Sequence, residues 1–525
     1  MSIKFKSFQF TLGMRRFIFI LLAGLSLFVS DKGIPVAMAI GSEAHIKGEF
    51  GILHSWPLMP IAMMLLPDGR VLAYGSGANG DQGANLDYLV WDPSSGIGND
   101  AFEMLPNTTH TDIFCAAQAL IPSTGHALIL GGDAKVNNVR NYGNSDVNIF
   151  DPVAETLVRQ TQSMAFKRWY ATVVTLPNGE HVVLGGRDSK NFAGTTTSPP
   201  IPPTVATYSS TPEVRTADGN WRQLSSATSD AAYGENGASW SYPKAWLNPQ
   251  GGIFIVAHSG LMFKLDPSGF GNLSQYSKTT LVSYARMSSV MYAPGRILSL
   301  RRDRSAVSIN INGLGEPVVT SAGTLDKDRQ YGSLTVLADG RVWANGGSST
   351  GNDLVGAALD SELWDPKTNA WIATASAAVA RLYHSTSLLL VDGTVITGGG
   401  GRPGPIPQLN GEIYYPPYLF KKDGSGQFAD RPVIIDAPTT MIGWNQEFSV
   451  EASESISRVT LVRAGAATHN FNQETRFFDL RIPKKGTILN LRTPASSKVA
   501  PPGFYLLYAW NAAGVPSIAK IIHIG

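Results

Sequence analysis

Along most of the chain a few polar residues precede an apolar run, a glycine-containing turn and a second apolar run, often closed by Gly-Gly. That order reads as strand, tight turn, strand. It occurs at 61–75 around Pro67-Asp68-Gly69, at 115–132 around Ser123-Thr124-Gly125, and at 170–186 around Pro177-Asn178-Gly179. Further copies at 242–258, 286–300, 331–347 and 383–401 make seven. Several are followed by a third strand signal: Trp91-Asp92-Pro93, Phe150-Asp151-Pro152, Leu265-Asp266-Pro267 and Trp364-Asp365-Pro366.

The spacing is mostly near the kelch repeat length of about 50 residues. Four-stranded blades around a central channel fit this pattern, and seven blades lie inside the usual range. The fold class predicted is all-β, a seven-bladed kelch-type β-propeller over 40–430. The fourth copy is the weakest, and Ser198-Pro199-Pro200-Ile201-Pro202-Pro203 before it marks a surface excursion. From Arg431 the turn pattern stops. Residues 431–525 alternate apolar and polar in short strands, as in Glu447-Phe448-Ser449-Val450-Glu451, which predicts an immunoglobulin-like β-sandwich.

Composition agrees with many short strands: 54 glycines and 32 prolines in 525 residues, with 16% charged. A formal net charge of +2 supplies no basic face, so nucleic acid is not an expected partner. The protein is expected to be a monomer. Lys4, Lys6, Arg15 and Arg16 precede an apolar run over 17–29, and Ala37-Met38-Ala39 offers a cleavage site. Residues 1–39 therefore read as a signal peptide, with an uncleaved anchor as the alternative. A secreted, periplasmic or cell-surface location follows, with no stable membrane insertion unless the signal stays uncleaved. The single Cys115 then excludes an internal disulfide.

Four stretches carry chemistry. Thr111-Asp112-Ile113-Phe114-Cys115 opens the second repeat, Arg168-Trp169-Tyr170 the third, and Arg381-Leu382-Tyr383-His384 the seventh; Ala467-Thr468-His469-Asn470 lies in the sandwich. Cys115, Tyr170 and Tyr383 sit just before their apolar runs, at equivalent points of their repeats, so a propeller can bring them together. Tyr383 and His384 are adjacent and would face opposite ways in a strand, so a turn or twisted strand end is needed there. Alone, each motif also fits a plain reading: an inert buried thiol, rim-packing tyrosines, structural histidines.

Together, in order, they resemble the galactose oxidase/glyoxal oxidase family of copper radical oxidases. Pro502-Gly503-Phe504-Tyr505 and Asn511-Ala512-Ala513-Gly514-Val515-Pro516-Ser517 look like that family's closing strands. The resemblance implies a copper ion held by Tyr170, Tyr383, His384 and His469. It implies a thioether joining Cys115 to Tyr170, whose ring carries a tyrosyl radical, with Tyr383 as axial ligand and base. Two imidazoles with two oxygens suit Cu(II), and a two-electron oxidation needs two one-electron acceptors. The substrates implied are small aldehydes, or else primary alcohols or sugars, with O2 reduced to H2O2. A kelch propeller that only binds carbohydrate or protein is the reading from another class. One departure stands out. Galactose oxidase covers the thioether ring with a tryptophan after the third repeat's Gly-Gly, whereas here Gly185-Gly186 is followed by Arg187-Asp188. Trp169, Trp240, Tyr242 and Trp246 are the candidates to replace that cover, and Arg168-Trp169-Tyr170 looks more like the glyoxal oxidase branch.

Overall fold

The first apolar run of each repeat becomes a strand buried along its length. Ala62–Leu65, Ala117–Leu120, Trp169–Thr175, Lys244–Leu247, Ser333–Val336 and Ser385–Leu389 are buried throughout, and Ser289–Ala293 at all but its last residue. The computed structural model describes residues 41–525 apart from 84–86, 197, 281, 283 and 284. The signal expected at 1–39 lies outside the described residues. No helix among the described residues is long and apolar enough to cross a membrane.

Each of these strands opens an antiparallel sheet that steps outward in chain order; the fourth runs Lys244–Leu247, Ile253–Val256, Leu261–Asp266, Asn272–Thr279. Seven such sheets occur among the described residues. The outer strands Asn272–Thr279, Val318–Thr324 and Ala370–Ser376 are mostly exposed or half-buried. Burial thus falls from the inner strand outward, as it does when inner strands have both faces covered. The seventh sheet takes its outer strand from far upstream: Glu49–Phe50 pairs with Asn410–Tyr415. The chain is all-β in the bladed arrangement expected from the repeats.

Three blades share a buried clamp. Arg168, Arg329 and Arg381 each stand two residues before a tyrosine or its neighbour on the inner strand's lead-in, and each pairs with a glutamate on the third strand. The pairs are Arg168–Glu213 at 2.9 Å, Arg329–Glu362 at 2.8 Å and Arg381–Glu412 at 3.0 Å. Each guanidinium also donates to the carbonyl of the first glycine of its Gly-Gly pair: Gly185, Gly346 and Gly399. Each glutamate accepts a backbone N–H besides, from Ala165, Asp326 or Ala378. Buried charges so satisfied fix the lead-in against its own blade.

The C-terminal strands form two sheets. Ile434–Asp436, Glu447–Ile456 and Gly486–Arg492 make one; Phe477–Leu480, Arg458–Arg463, Gly503–Trp510 and Lys520–Ile524 make the other. Phe448, Val450, Leu461, Leu489, Tyr505 and Leu507 pack between them. A hairpin leaves this unit and returns to the first blade: Ala466–Thr468 pairs antiparallel with Ala62–Leu65 and turns back through Phe471–Asn472.

Candidate metal centre

The second glycine of each Gly-Gly pair faces one recurring slot. Strand registers Ala171↔Gly185, Ser333↔Asn345, Ser385↔Gly399 and Ala117↔Leu130, extended toward the lead-in, set Tyr170, Tyr331, His384 and Cys115 opposite that glycine. All four residues have positive φ: 74°, 64°, 69° and 60°. A left-handed backbone is costly for such side chains and turns them off the strand's alternation. At the seventh blade this solves the adjacency of Tyr383 and His384, since the left-handed His384 swings its ring beside that of Tyr383. Their centroids are 3.8 Å apart. The slot equivalent to Cys115 and Tyr170 is therefore occupied by His384, a correction to the equivalence expected for Tyr383. Tyr383 instead matches Trp169, one residue earlier.

The hairpin supplies the last member. Its turn is His469-Asn470, with φ of 47° and 59°, as a two-residue hairpin turn with both central residues left-handed requires. Asn470 Nδ2 donates to the Arg286 carbonyl at 2.9 Å, and Ser288 Oγ donates to the Asn470 carbonyl at 2.6 Å. Gln118 Nε2 donates to the Ala467 carbonyl at 3.1 Å. With the pairing to Ala62–Leu65, three different blades thus hold the tip that carries His469.

Five predicted residues are brought to one buried point. Tyr170 Oη lies 3.2 Å from His384 Nε2 and 3.2 Å from His469 Nε2, and it contacts Tyr383 Oη. Cys115 Sγ is 3.3 Å from His469 Nε2. The metal-binding atoms of Cys115, His384 and His469 all lie within 4.8 Å of one another. The far side of each imidazole is occupied. His384 Nδ1 donates to the Arg402 carbonyl. Thr468 Oγ1 donates to the Ile61 carbonyl, so its lone pair receives His469 Nδ1–H at 2.6 Å. Both tautomers are thereby fixed with Nε2 free to ligate.

Burial sets the charge state. It pushes the His384 imidazole down to about 3, and with His384 and Lys244 nearby it holds His469 well below its usual range. Burial raises the Tyr170 and Tyr383 phenols and the Cys115 thiol. Without a cation the set is neutral: two imidazoles, two phenols, one thiol. Such a group fits a cation that would replace the phenolic protons, and the two N and two O donors suit Cu(II).

The phenol of Tyr170 is covered. Trp169 lies flat on it, centroids 3.8 Å apart and planes 13° from parallel. Trp240 is parallel within 19° at 6.0 Å, Tyr242 is tilted at 4.9 Å, and Trp246 packs on Phe471 instead. Of the four candidate covers, Trp169 stands directly on the ring. A cavity of about 150 Å³ adjoins the site, lined by Tyr170, Arg286, Tyr331, Tyr383, His384 and His469 among others. Sequence reasoning gave Arg286 and Tyr331 no part in a site. The shared Arg-x-Tyr spacing of Arg168-Trp169-Tyr170, Arg329-Gln330-Tyr331 and Arg381-Leu382-Tyr383 was the available signal for Tyr331.

The galactose oxidase-like Early set domain profile matches residues 431–524. A galactose oxidase of Gibberella zeae is 27% identical over 506 residues, covering 91% of this chain and 70% of that protein. The aldehyde oxidase GLOX1 of Arabidopsis thaliana is 25% identical over 494 residues, covering 83% and 75%. The chain is thus similar over most of its length to galactose oxidases and to glyoxal oxidase-type aldehyde oxidases. The fold is also seen in a solved structure, a fungal alcohol oxidase of the AA5 family in complex with copper. Its TM-score is 0.77 at 22% identity, over 91% of this chain and 99% of that one.

Proposed function

We propose that this protein is an exported copper radical oxidase that converts small aldehydes, as their hydrates, to carboxylic acids. The balance is RCH(OH)2 + O2 → RCOOH + H2O2. The observation that carries the reading is the buried, neutral set of two imidazoles and two phenols with each Nδ1 engaged elsewhere. Tyr170, Tyr383, His384 and His469 would hold the ion. Bound copper would supply one of the two one-electron acceptors, the other being an oxidised phenol.

The remaining roles belong to the chain's own groups. Tyr383 lines the cavity, and its oxygen accepts the proton from a substrate hydroxyl. Tyr170, flat under Trp169 and beside the Cys115 thiol, is the ring that gives up an electron. A thioether between Cys115 and Tyr170 would spread that electron deficiency onto sulfur. Arg286 is the cation lining the cavity and binds the oxygens of a hydrated aldehyde or its neighbouring carbonyl. Tyr331, whose ring is 4.9 Å from that of Tyr383, bounds the space available to substrate.

Primary alcohols are the second reading, favoured by the name of the alcohol oxidase that shares the fold. Peroxide release from glyoxal, methylglyoxal, glycolaldehyde, a simple primary alcohol and galactose, on one copper-loaded preparation, separates the two. The expected order puts the aldehydes first. Galactose or the alcohol outrunning every aldehyde would transfer the assignment to the second reading.

A further inference from the structure

Arg187 directly follows Gly185-Gly186, and its surroundings are unusual for an arginine. Strand pairing sets Arg187 opposite Trp169. Its guanidinium carbon is 4.5 Å from the Trp169 ring centroid and 4.9 Å from that of Trp240. The two indoles are inclined by only 27°. Nη2 donates to the Asn141 carbonyl at 3.1 Å, while Nε is buried with no hydrogen-bond partner. The nearby carboxylates of Asp112 and Asp133 face Arg140 instead, and Arg187 has no ion pair among the described residues. Its charge is therefore not paired with a carboxylate among the described residues.

Trp169 thus packs against both the Tyr170 phenol and the guanidinium, with Trp240 alongside. A phenol and an indole in flat contact are both oxidisable, so an electron hole on one can spread to the other. A cation on an indole face is attracted to its π electrons and makes their removal harder. Geometry also matters, because the guanidinium is held by two indoles and a carbonyl and so fixes the tilt of Trp169 on the phenol. We infer that Arg187 is a positioning residue that clamps Trp169 onto Tyr170 and confines the oxidising equivalent to the Tyr170 ring. The inference rests on the proposed radical role of Tyr170. Arg187 acts through Trp169 and touches neither the substrate cavity nor the ligating atoms.

The one-electron step tested is loss of an electron from Tyr170 to ferricyanide, which is reduced to ferrocyanide. Copper-loaded, aerobically matured wild type, Arg187→Gln and Arg187→Lys are titrated over a range of ferricyanide/ferrocyanide ratios. The radical is followed by its visible absorbance and its decay is timed. Near-ultraviolet circular dichroism reports folding of each protein. In wild type the radical forms and persists. In Arg187→Gln half-oxidation is expected at a ratio about tenfold lower, and decay about tenfold faster, because the nearby cation is gone and Trp169 shares the hole. Arg187→Lys keeps the charge and should recover most of both properties. Equal ratios and lifetimes in wild type and Arg187→Gln would overturn the inference. A Lys variant behaving like the Gln variant would overturn its electrostatic half and leave a steric clamp. A wild type that gives no radical at any ratio would instead overturn the role of Tyr170, and Arg187 falls with it.

Discussion

Tyr383 and His384 are neighbours whose rings nevertheless stack at 3.8 Å on one site, and the reason is a single backbone torsion, φ of 69° at His384. The same left-handed step at Cys115 and Tyr170 turns those side chains toward the same point. Cys115 and Tyr170 were legible in these slots from the sequence, but His384, not the expected Tyr383, fills the third; the torsion was not legible, because nothing local distinguishes a left-handed tyrosine from an extended one. Tyr383 has a separable role. Tyr383→Phe keeps the ring and its stacking but removes the oxygen that meets Tyr170 at the site. The variant should still fold and still yield the Cys115 and Tyr170 peptides as one species lighter by two hydrogens. Its turnover should fall by about 100- to 10,000-fold, the usual worth of a general base. Turnover within a few-fold of wild type would remove Tyr383 from proton transfer.

At the scale of the element, the strand–turn–strand units could be read from Pro67-Asp68-Gly69 and its counterparts, since tight turns demand particular residues. The Arg–Glu clamps could not. Arg329 and Glu362 are 33 residues apart, and no local rule pairs them until the blade is built. The clamp also explains why three lead-ins can bear strained residues: the guanidinium ties each lead-in to the glycine carbonyl and the third strand at once. Arg329→Met leaves Glu362 charged and buried without its partner. Stability should fall by about 3–5 kcal/mol. The double variant Arg329→Met/Glu362→Gln should recover a substantial part, because the stranded charge is gone. Denaturant unfolding checks both, and a loss below about 1 kcal/mol in the single variant would show that the clamp is not a structural tie.

For the whole molecule, the repeat period foretold the blades and the change of pattern near Arg431 foretold a second β unit. Less legible was how the two meet. The Ala466–Thr468 hairpin adds to the first blade's inner strand, so a residue from the sandwich stands among residues from the second, third and seventh blades. His469 is motif-bearing in sequence, yet only strand pairing with Ala62–Leu65 places it. Of the partners that orient the imidazoles, Thr468 is the sequence neighbour of His469, whereas Arg402 acts from 18 residues away through a backbone carbonyl that sequence cannot flag. The account therefore makes copper binding a property of both units together. The most direct test is Cu(II) titration followed by electron paramagnetic resonance on wild type, His469→Ala and His523→Ala. His523 lies on the far strand of the sandwich, stacked on Phe504, and serves as the control. The account predicts one tightly bound tetragonal Cu(II) with nitrogen hyperfine structure in wild type and in His523→Ala, and its loss or marked weakening in His469→Ala. Equal copper binding and equal spectra in all three proteins would contradict it.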